Sequence, residues 1–441
     1  VLGAVMNALP LCVVRPRTTQ EVSQALAYLY KHHVPVVPYG GGSGVMGGAI
    51  PSPGGVMLDV GPLNRILALD EANLAVTAQS GIVLGTLEAW LNERGYIGGH
   101  YPQSIDVAHL GGLLATRSAG QFSTMYGNIE DLVLGLEAVL PDGEVVRIPD
   151  VPRRSAGPDL RHVWLGSEGA FGVITEVTLK IFPRPEERWI GAYAVPSMRA
   201  GLSMIQAIVR PGWRPAVVRL YDEIETQRGF TDATEQGEAI LLLLCEGPAG
   251  QAECEGQAID RIARATPGVR ALGPAPVHAW LAHRNDVREF YRYVGMGVLV
   301  DTIEVAAKWT VVADLYERTL AELKARVPEL MVASAHSSHS YQQGTNLYFV
   351  IAAQPPRDPA AAERVYWSIW SCVMETVLSH GGTISHHHGI GRVRARWMKA
   401  ELGSAYPLLT RLKAALDPRQ LMNPGTLLPN PGESPAEGHS E

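Results

Sequence analysis

Pro38-Tyr39-Gly40-Gly41-Gly42-Ser43-Gly44-Val45 is the stretch on which the fold reading turns. It follows a short apolar run, Val34-Pro35-Val36-Val37. A backbone with so few Cβ atoms can enter positive φ and approach a ligand closely. Successive N–H groups in such a turn form a concavity that suits an anion. No Gly-Lys-Ser/Thr follows, so the stretch is not a Walker A loop. The chain continues as Met46-Gly47-Gly48-Ala49-Ile50-Pro51, which does not open a helix as the classical dinucleotide fingerprint requires. Taken alone, the stretch fits a surface turn as well as a phosphate cradle, and the rest of the chain decides.

The chain has 441 residues, enough for two or three domains. A hydrophobic share of 46% with 18% charged residues describes a soluble globular protein. A net charge of −7 without a basic run argues against nucleic acid as a partner. Cys12, Cys245, Cys254 and Cys372 are scattered, so neither a structural metal nor a disulfide framework is expected, and a cytoplasmic setting follows. No apolar stretch reaches the length of a membrane span. The opening Val1-Leu2-Gly3-Ala4-Val5-Met6 lacks the basic region of a signal peptide. The tail from Pro429 to Glu441 is rich in Pro, Gly, Glu and Ser and reads as disordered.

Thr18 to about His32 reads as a helix, with Thr18 and Glu21 as a capping box and Val22, Ala25, Leu26 and Leu29 on one face. Strands are expected at Val34–Val37, Val56–Val60 and Leu74–Ala78, and a helix at about Leu84–Arg94 with Gly95 as its stop. The span from Tyr101 to Val133 is dominated by small residues, which predicts a backbone lying along something flat or extended. A hairpin follows, Leu132–Leu140 and Glu144–Ile148 around Pro141-Asp142-Gly143. Gly166-Ser167-Glu168-Gly169-Ala170-Phe171-Gly172 enters a strand at Val173–Ile181, and Pro183-Arg184-Pro185 marks a boundary. Beyond it, helices are expected near Met198–Val209, Ala252–Thr266, Trp309–Arg326 and Ala360–Leu378. Strands are expected near Ala216–Leu220, Ala239–Cys245 and Leu347–Ala352, giving an α+β layer over an antiparallel sheet. A last helix is expected at Tyr406–Leu416.

Ser385-His386-His387-His388-Gly389-Ile390-Gly391-Arg392 is the most reactive-looking sequence. Adjacent side chains in an extended or tight backbone do not point the same way, so three consecutive histidines are not expected to hold one metal together. One or two facing a cleft would suit proton transfer or polarisation of a substrate oxygen. The alternative is a polar turn with solvated histidines. His336 and His339 form a second cluster before Tyr341, without the carboxylate or spacing that a metal site needs.

In this order and spacing the pieces resemble flavoproteins of the vanillyl-alcohol-oxidase type, from about Val13 to Leu428. The motifs are Pro38–Val45, Gly111-Gly112 with Ala115–Gly120, Tyr126–Val133, Gly166–Thr175, His388–Gly391 and Asn423-Pro424-Gly425. The resemblance implies an α+β fold: a two-subdomain PCMH-type FAD-binding domain, a cap domain with an antiparallel sheet, and a C-terminal segment returning to the FAD domain. The implied bounds are 1–185, 186–405 and 406–428, with the tail at 429–441. The implied cofactor is FAD, held non-covalently because Gly42 stands where some members carry a flavin-linking histidine. Its pyrophosphate would lie on Pro38, Gly40, Gly41, Gly42, Ser43, Gly44 and Val45 and near Gly111, Gly112, Ala115 and Thr116. Glu168, Gly169, Gly172, Val173 and Ile174 would hold the flavin or adenine end. Pro102, Ser104, His109, Ser118, Ala119, Tyr126, Gly127 and Asn423 complete the expected cofactor contacts. His109 departs from the threonine usual there.

Two branches of that family compete. The 2-hydroxyacid dehydrogenases carry two histidines that hold a divalent metal, in a segment matched here by Tyr341-Gln342-Gln343-Gly344-Thr345-Asn346-Leu347-Tyr348. Both histidine positions are tyrosines, and the glutamate of that branch's Glu-His-Gly motif is replaced by His387, so no metal is expected. Alkyldihydroxyacetonephosphate synthase carries Ser-His-His-His-Gly, found here as Ser385–Gly389. The resemblance to it implies acyl-to-alkyl exchange on a dihydroxyacetone phosphate ester, redox-neutral, through a flavin N5 adduct. His386, His387 and His388 would supply the proton-transfer histidine, most directly His387 or His388, with Tyr341 as a second group. Arg219 and Arg284 would bind the phosphate, since a guanidinium matches it bidentately. The rival is oxidation of a 2-hydroxy acid or other small alcohol. The implied partners are an anionic, lipid-like small molecule, a second copy in a homodimer, and a membrane surface contacted peripherally. Phe290, Tyr291, Tyr293, Val294, Met296 and Val298, on helices expected at 280–310, would provide the greasy contact, or else form buried core.

Overall fold

The computed structural model describes residues 9–286 and 288–429, and the backbone alone at 288–291. The expectations for the opening residues, the tail beyond Pro429 and the side chains of Phe290 and Tyr291 lie outside the described residues. The chain forms two compact units: an N-terminal unit of 9–119, 128–183 and 387–429, and a central unit of 120–127 and 184–386. The crossing between units near the end of the chain is the peptide between His386 and His387.

In the N-terminal unit, β1 (Val13–Val14), β2 (Val36–Tyr39) and β3 (Val56–Asp59) form a parallel sheet in the order β1-β3-β2. The helix Thr19–Lys31 lays Val22, Leu26 and Leu29 against it. Thr18 caps that helix by accepting the N–H of Glu21 at 3.1 Å. The return arm of the expected box reaches one residue further, since the Glu21 carboxylate accepts from Arg17 N. Next come β4 (Ile66–Asp70), β5 (Ala75–Gln79), β6 (Tyr96–Ile97), β7 (Val133–Val139), β8 (Val145–Ile148), β9 (Val173–Lys180) and β10 (Phe182–Pro183). An antiparallel sheet runs β4-β5-β9-β7-β8, and β6 pairs with β10. The helix Leu84–Asn92 buries Leu84, Leu87 and Leu91 in the core of this sheet.

The small-residue span from Tyr101 to Val133 carries no long element. It coils into short helices at Leu110–Thr116, Ser123–Tyr126 and Ile129–Leu132. Gly111 is the reason the first can form there. A Cβ on it would stand 2.7 Å from Ser80 Cβ, so only glycine lets this helix lie against the turn after β5.

The central unit is built on one antiparallel sheet. Its strands are β11 (Glu187–Val195), β12 (Val217–Tyr221), β13 (Ala239–Gly247), β14 (Arg270–Gly273), β15 (Leu299–Lys308), β16 (Leu330–Ser337), β17 (Ser340–Tyr341) and β18 (Gly344–Ala353). The order is β14-β11-β13-β12-β16-β18-β15, with β17 on β18. Every residue of β13 is buried, as its apolar run Ile240–Leu244 demands of an interior strand. The helices Met198–Val209, Gln251–Ala265, Val312–Arg326 and Pro359–Ser379 pack on the sheet. The region expected as helices over 280–310 is helix only to Gly295 and becomes strand β15 at Leu299. Val294 and Met296 are 57% and 66% exposed, while Val298 is buried, so this run is neither uniform core nor a continuous apolar helix face. Among the described residues no helix is long and apolar enough to cross a membrane.

Candidate functional site

The glycine loop leaves β2 and is pinned by what lies beneath it. A Cβ on Gly41 would stand 1.9 Å from the Val107 carbonyl oxygen, and one on Gly40 would stand 3.2 Å from His109 Cβ. A Cβ on Gly169 would meet Pro38 Cγ at 2.8 Å. The segments around 38–44, 107–112 and 166–169 thus converge with backbone nearly touching, and Gly111 adds the turn at Ser80. Gly44 and Gly112 differ, because a Cβ on either would meet nothing within 4 Å. Gly42 has φ +64°, a conformation that favours glycine.

The same unit holds buried polar side-chain atoms without partners among the described residues. They include Ser80 Oγ, both ring nitrogens of His100, His109 Nδ1, Ser167 Oγ, Asn423 Oδ1 and Thr426 Oγ1. Folded proteins satisfy nearly all such groups, so these atoms are ones that a bound polar group could satisfy. His100 is 1% exposed, and burial drops its pKa to about 3. Burial also lowers His109, against the opposing pull of Asp59. Both rings are neutral donors and acceptors at physiological pH. The open faces of Gly44 and Gly112 and these orphaned groups fit a large polar cofactor. Ser80, His100, Ser167 and Thr426 were not singled out in the sequence.

Glu168 ties this region together. It adopts φ +47°, and its N–H donates to Ala115 O at 2.9 Å. Its carboxylate accepts Ile390 N at 2.6 Å and Gly391 N at 2.8 Å. Burial raises its pKa to about 7, against the pull of those two N–H groups and of Arg394. Asn423 donates its amide to Glu168 O at 2.7 Å and to Gly48 O at 2.8 Å. Behind it, Lys413 is buried and donates to Ala170 O, Met422 O and the Asp417 carboxylate. His387 and His388 lie on the same unit, their rings 4.6 Å apart and edge to face.

Other expected cofactor residues also carry packing and hydrogen-bonding roles. Gly172 has φ +141°, and a Cβ there would stand 2.3 Å from Val139 O. Val173 and Ile174 begin β9 and are buried in the core. Pro102 and Ser104 offer their carbonyls to Ile105, Val107 and Ala108 in the turn before His109. Ser118 O accepts Ile129 N, and Ala119 is buried. Thr116 Oγ1 donates back to Gly112 O, and Val45 is exposed. Tyr126 and Gly127 belong to the central unit, where the Tyr126 hydroxyl donates to Glu246 at 2.6 Å.

In the central unit the expected catalytic residues fall into two groups. Tyr341 Oη lies 2.8 Å from His386 Nε2. The His386 ring stacks on His339 at 5.0 Å, and His339 Nδ1 meets Ser123 Oγ at 2.7 Å. Glu304, fully buried, accepts His386 N at 2.9 Å and Ser385 Oγ at 3.2 Å. Thr383 pairs with Ala306, which carries the chain from β15 into His386. In the second group Arg219 and Arg284 place their guanidinium carbons 5.7 and 5.9 Å from the Trp280 ring. Arg284 also donates to Gln121.

A polar row joins these groups. Glu304 pairs with Tyr348, Tyr348 with His336, and His336 with Tyr221 across adjacent antiparallel strands. Directly opposed residues share one face of a sheet. Arg219 lies two residues from Tyr221 and so shares that face. Its Nε donates to Tyr221 Oη at 2.7 Å. Glu304 is a further residue that sequence reasoning did not place at a site, while His336 and Tyr348 stood there only as half of a histidine pair and as a tyrosine in place of a histidine. Strand pairing brings them together, and no local motif announces it.

Two family models match the chain: an FAD binding domain over residues 10–149 and the C-terminal domain of FAD linked oxidases over residues 184–427. An uncharacterized FAD-linked oxidoreductase, YgcU of Escherichia coli K12, is 38% identical, with 96% of this chain and 89% of the relative covered. Alkyldihydroxyacetonephosphate synthase of Caenorhabditis elegans is 30% identical, covering 95% of this chain and 76% of the relative. A solved alkyldihydroxyacetonephosphate synthase structure superposes with TM-score 0.79 at 26% identity, covering 93% of this chain and 76% of that one.

Proposed function

The chain belongs to the FAD-linked oxidase family, and from that premise we propose that it exchanges an acyl for an alkyl group on a phosphorylated ketone ester, as alkyldihydroxyacetonephosphate synthase does. The cofactor is FAD. The glycine loop, Ser80, His100, His109, Glu168 and Asn423 are the residues that would hold it, without a covalent link. When bound, FAD supplies an electron-poor ring able to take an electron pair from a substrate carbon.

The remaining steps fall to this chain's own groups. Tyr341 and His386 share one hydrogen bond, so a proton can pass between phenol and imidazole as substrate bonds change. Glu304 holds the His386 backbone and fixes where that imidazole stands. Arg219 and Arg284 grip the phosphate. His387 and His388 stay candidates for the proton at the substrate carbon. In the balanced exchange, the ester C–O bond breaks and a fatty acid leaves. An alcohol oxygen then forms the ether bond, and its proton passes to the enzyme's base.

The observation that carries this reading is the Tyr341–His386 pair. In the hydroxyacid enzymes that the chain also resembles, the positions of Tyr341 and Tyr348 are those of histidines that can hold a metal. Here the first is joined to His386, and the second is stacked on His336 at 4.6 Å with its hydroxyl on Thr302. Anaerobic mixing tests the reading. An acyl-dihydroxyacetone phosphate with a long-chain alcohol is expected to release fatty acid and yield ether without net bleaching of the flavin band. Bleaching by glycolate or D-lactate, with no exchange, would overturn it in favour of hydroxy-acid oxidation.

A further inference from the structure

Glu225, His336 and Arg219 form a continuous polar line in the central unit. His336 Nδ1 lies 3.0 and 3.2 Å from the two Glu225 carboxylate oxygens, and its Nε2 lies 3.1 Å from Arg219 Nη2. A guanidinium can only donate, so Nε2 must carry the lone pair. The single ring proton therefore sits on Nδ1 and is donated to Glu225. His336 is thus a neutral imidazole of one fixed tautomer. Burial and the adjacent Arg219 lower its pKa against the opposing pull of Glu225, in keeping with that assignment. The ring cannot turn, because it is 6% exposed, lies parallel to Tyr348 at 4.6 Å and meets Tyr221 at 5.4 Å.

This line differs from an ordinary ion pair. A carboxylate placed directly on Arg219 would occupy its outer donors and cancel its charge. Here the carboxylate acts through an uncharged ring. Arg219 has five N–H groups. One is given to Tyr221 and one to His336. The other three have no partner among the described residues. Arg219 also lies over the Tyr221 ring at 4.8 Å, which fixes the guanidinium plane. The arrangement orients an arginine, keeps its charge and leaves its donors for a ligand.

We infer that Glu225 and His336 are positioning residues that hold Arg219 to receive a tetrahedral dianion, the phosphate group of the substrate. This rests on the reading of Arg219 as an anion-binding residue. Sulfate is the probe, because it has the same shape and does not titrate near neutrality. The experiment is calorimetric titration of the flavin-loaded enzyme with sulfate at constant ionic strength. Arg219→Ala should lose sulfate binding. Glu225→Gln and His336→Phe should each weaken it about tenfold, the weight of one charge-assisted hydrogen bond. His336→Gln should bind within about threefold of wild type, because its amide can both donate to Glu225 and accept from Arg219. KM for a phosphorylated substrate should rise in the same proportion, with kcat per bound flavin unchanged. Wild-type sulfate affinity in Glu225→Gln and His336→Phe, with binding lost in Arg219→Ala, would overturn the positioning role alone. Wild-type affinity in Arg219→Ala would overturn the anion reading itself, and the positioning role with it. If Glu225→Gln does not fold, the two His336 variants decide, and failure of glutamine to restore binding counts against the proposal.

Discussion

Tyr341 and His386 stand 45 residues apart in sequence and are joined side chain to side chain at 2.8 Å. The tyrosine comes from the short strand β17 and the histidine from the segment that Thr383 ties to β15, so two edges of the pairing around β18 place them. Trp309 Nε1 donates to the Tyr341 carbonyl at 3.0 Å and fixes its backbone.

Removing that hydroxyl should damage turnover without touching cofactor loading. Tyr341→Phe keeps the ring, so the fold is retained. A positioned proton-transfer group contributes on the order of 10²–10⁴ in rate. We expect kcat to fall by about 10²–10³ while the ratio of flavin to protein absorbance stays at the wild-type value. Steady-state kinetics with an absorbance spectrum checks both.

Glycine substitutions should separate packing from cofactor contact. Gly41→Ala drives a Cβ into the Val107 carbonyl oxygen, so the loop must move and thermal stability should fall together with flavin content. Gly44→Ala meets no protein atom within 4 Å. Its apoprotein should melt within about 2 °C of wild type, since unconstrained surface changes cost little. Its affinity for FAD should drop nonetheless, because under the proposed placement the methyl group enters the face that the cofactor would cover. Thermal melts of apoprotein and flavin titrations give the two readouts.

Glu168 should make stability depend on pH in an unusual direction. Burial raises its pKa from 4.5 to about 7. Between those values the folded chain holds a proton that the unfolded chain has lost. Stability therefore falls as pH rises through this window and levels off above it. The span corresponds to about 3 kcal/mol at most. Glu168→Gln cannot titrate, so the difference in unfolding free energy between wild type and variant should slope across this window and flatten outside it. Urea unfolding from pH 4 to 8 measures it.

Lys413 should be indispensable to the C-terminal return. Its ammonium group satisfies Ala170 O, Met422 O and the fully buried Asp417. Lys413→Met leaves that carboxylate without its counter-charge. Breaking a buried pair from one side costs roughly 3–5 kcal/mol. Adding Asp417→Asn should recover part of the loss. Chemical denaturation of the single and double variants tests this, with a fully additive double variant as the contrary result.

How legible these features were in the sequence depended on whether their cause is local. Thr18, Ser197 and Asp358 cap helices by accepting N–H groups three residues on, and all three helices were expected close to where they stand. The glycine loop was legible because so many glycines together have few uses. Strands β11 and β15 were not expected. Glu187-Arg188-Trp189-Ile190-Gly191 and Leu299-Val300-Asp301-Thr302-Ile303-Glu304 lack clean alternation, and their extended form is imposed by pairing with β13 and β18. Ser80 and His100 are single polar residues without a spacing rule, and Ser167 lies unremarked inside the Gly166–Thr175 motif. Only their burial without partners exposes them. Tyr126 shows the converse. It lies in a recognisable motif, and that motif does not announce the bond its hydroxyl donates to Glu246. His336 was visible as half of a histidine cluster, but its tautomer follows from Arg219 and Glu225, which lie 117 and 111 residues away.

The row Glu304–Tyr348–His336–Tyr221 is written in register rather than in any one strand. A point mutation can remove only one member. Insertion or deletion of a single residue in β18, absorbed without a bulge, would turn the shifted part of that strand over and send its side chains to the opposite face. The central sheet should thus tolerate many substitutions yet almost no length change between Gly344 and Ala353, so gaps, more than replacements, set the limit on how far this chain can diverge and keep its chemistry.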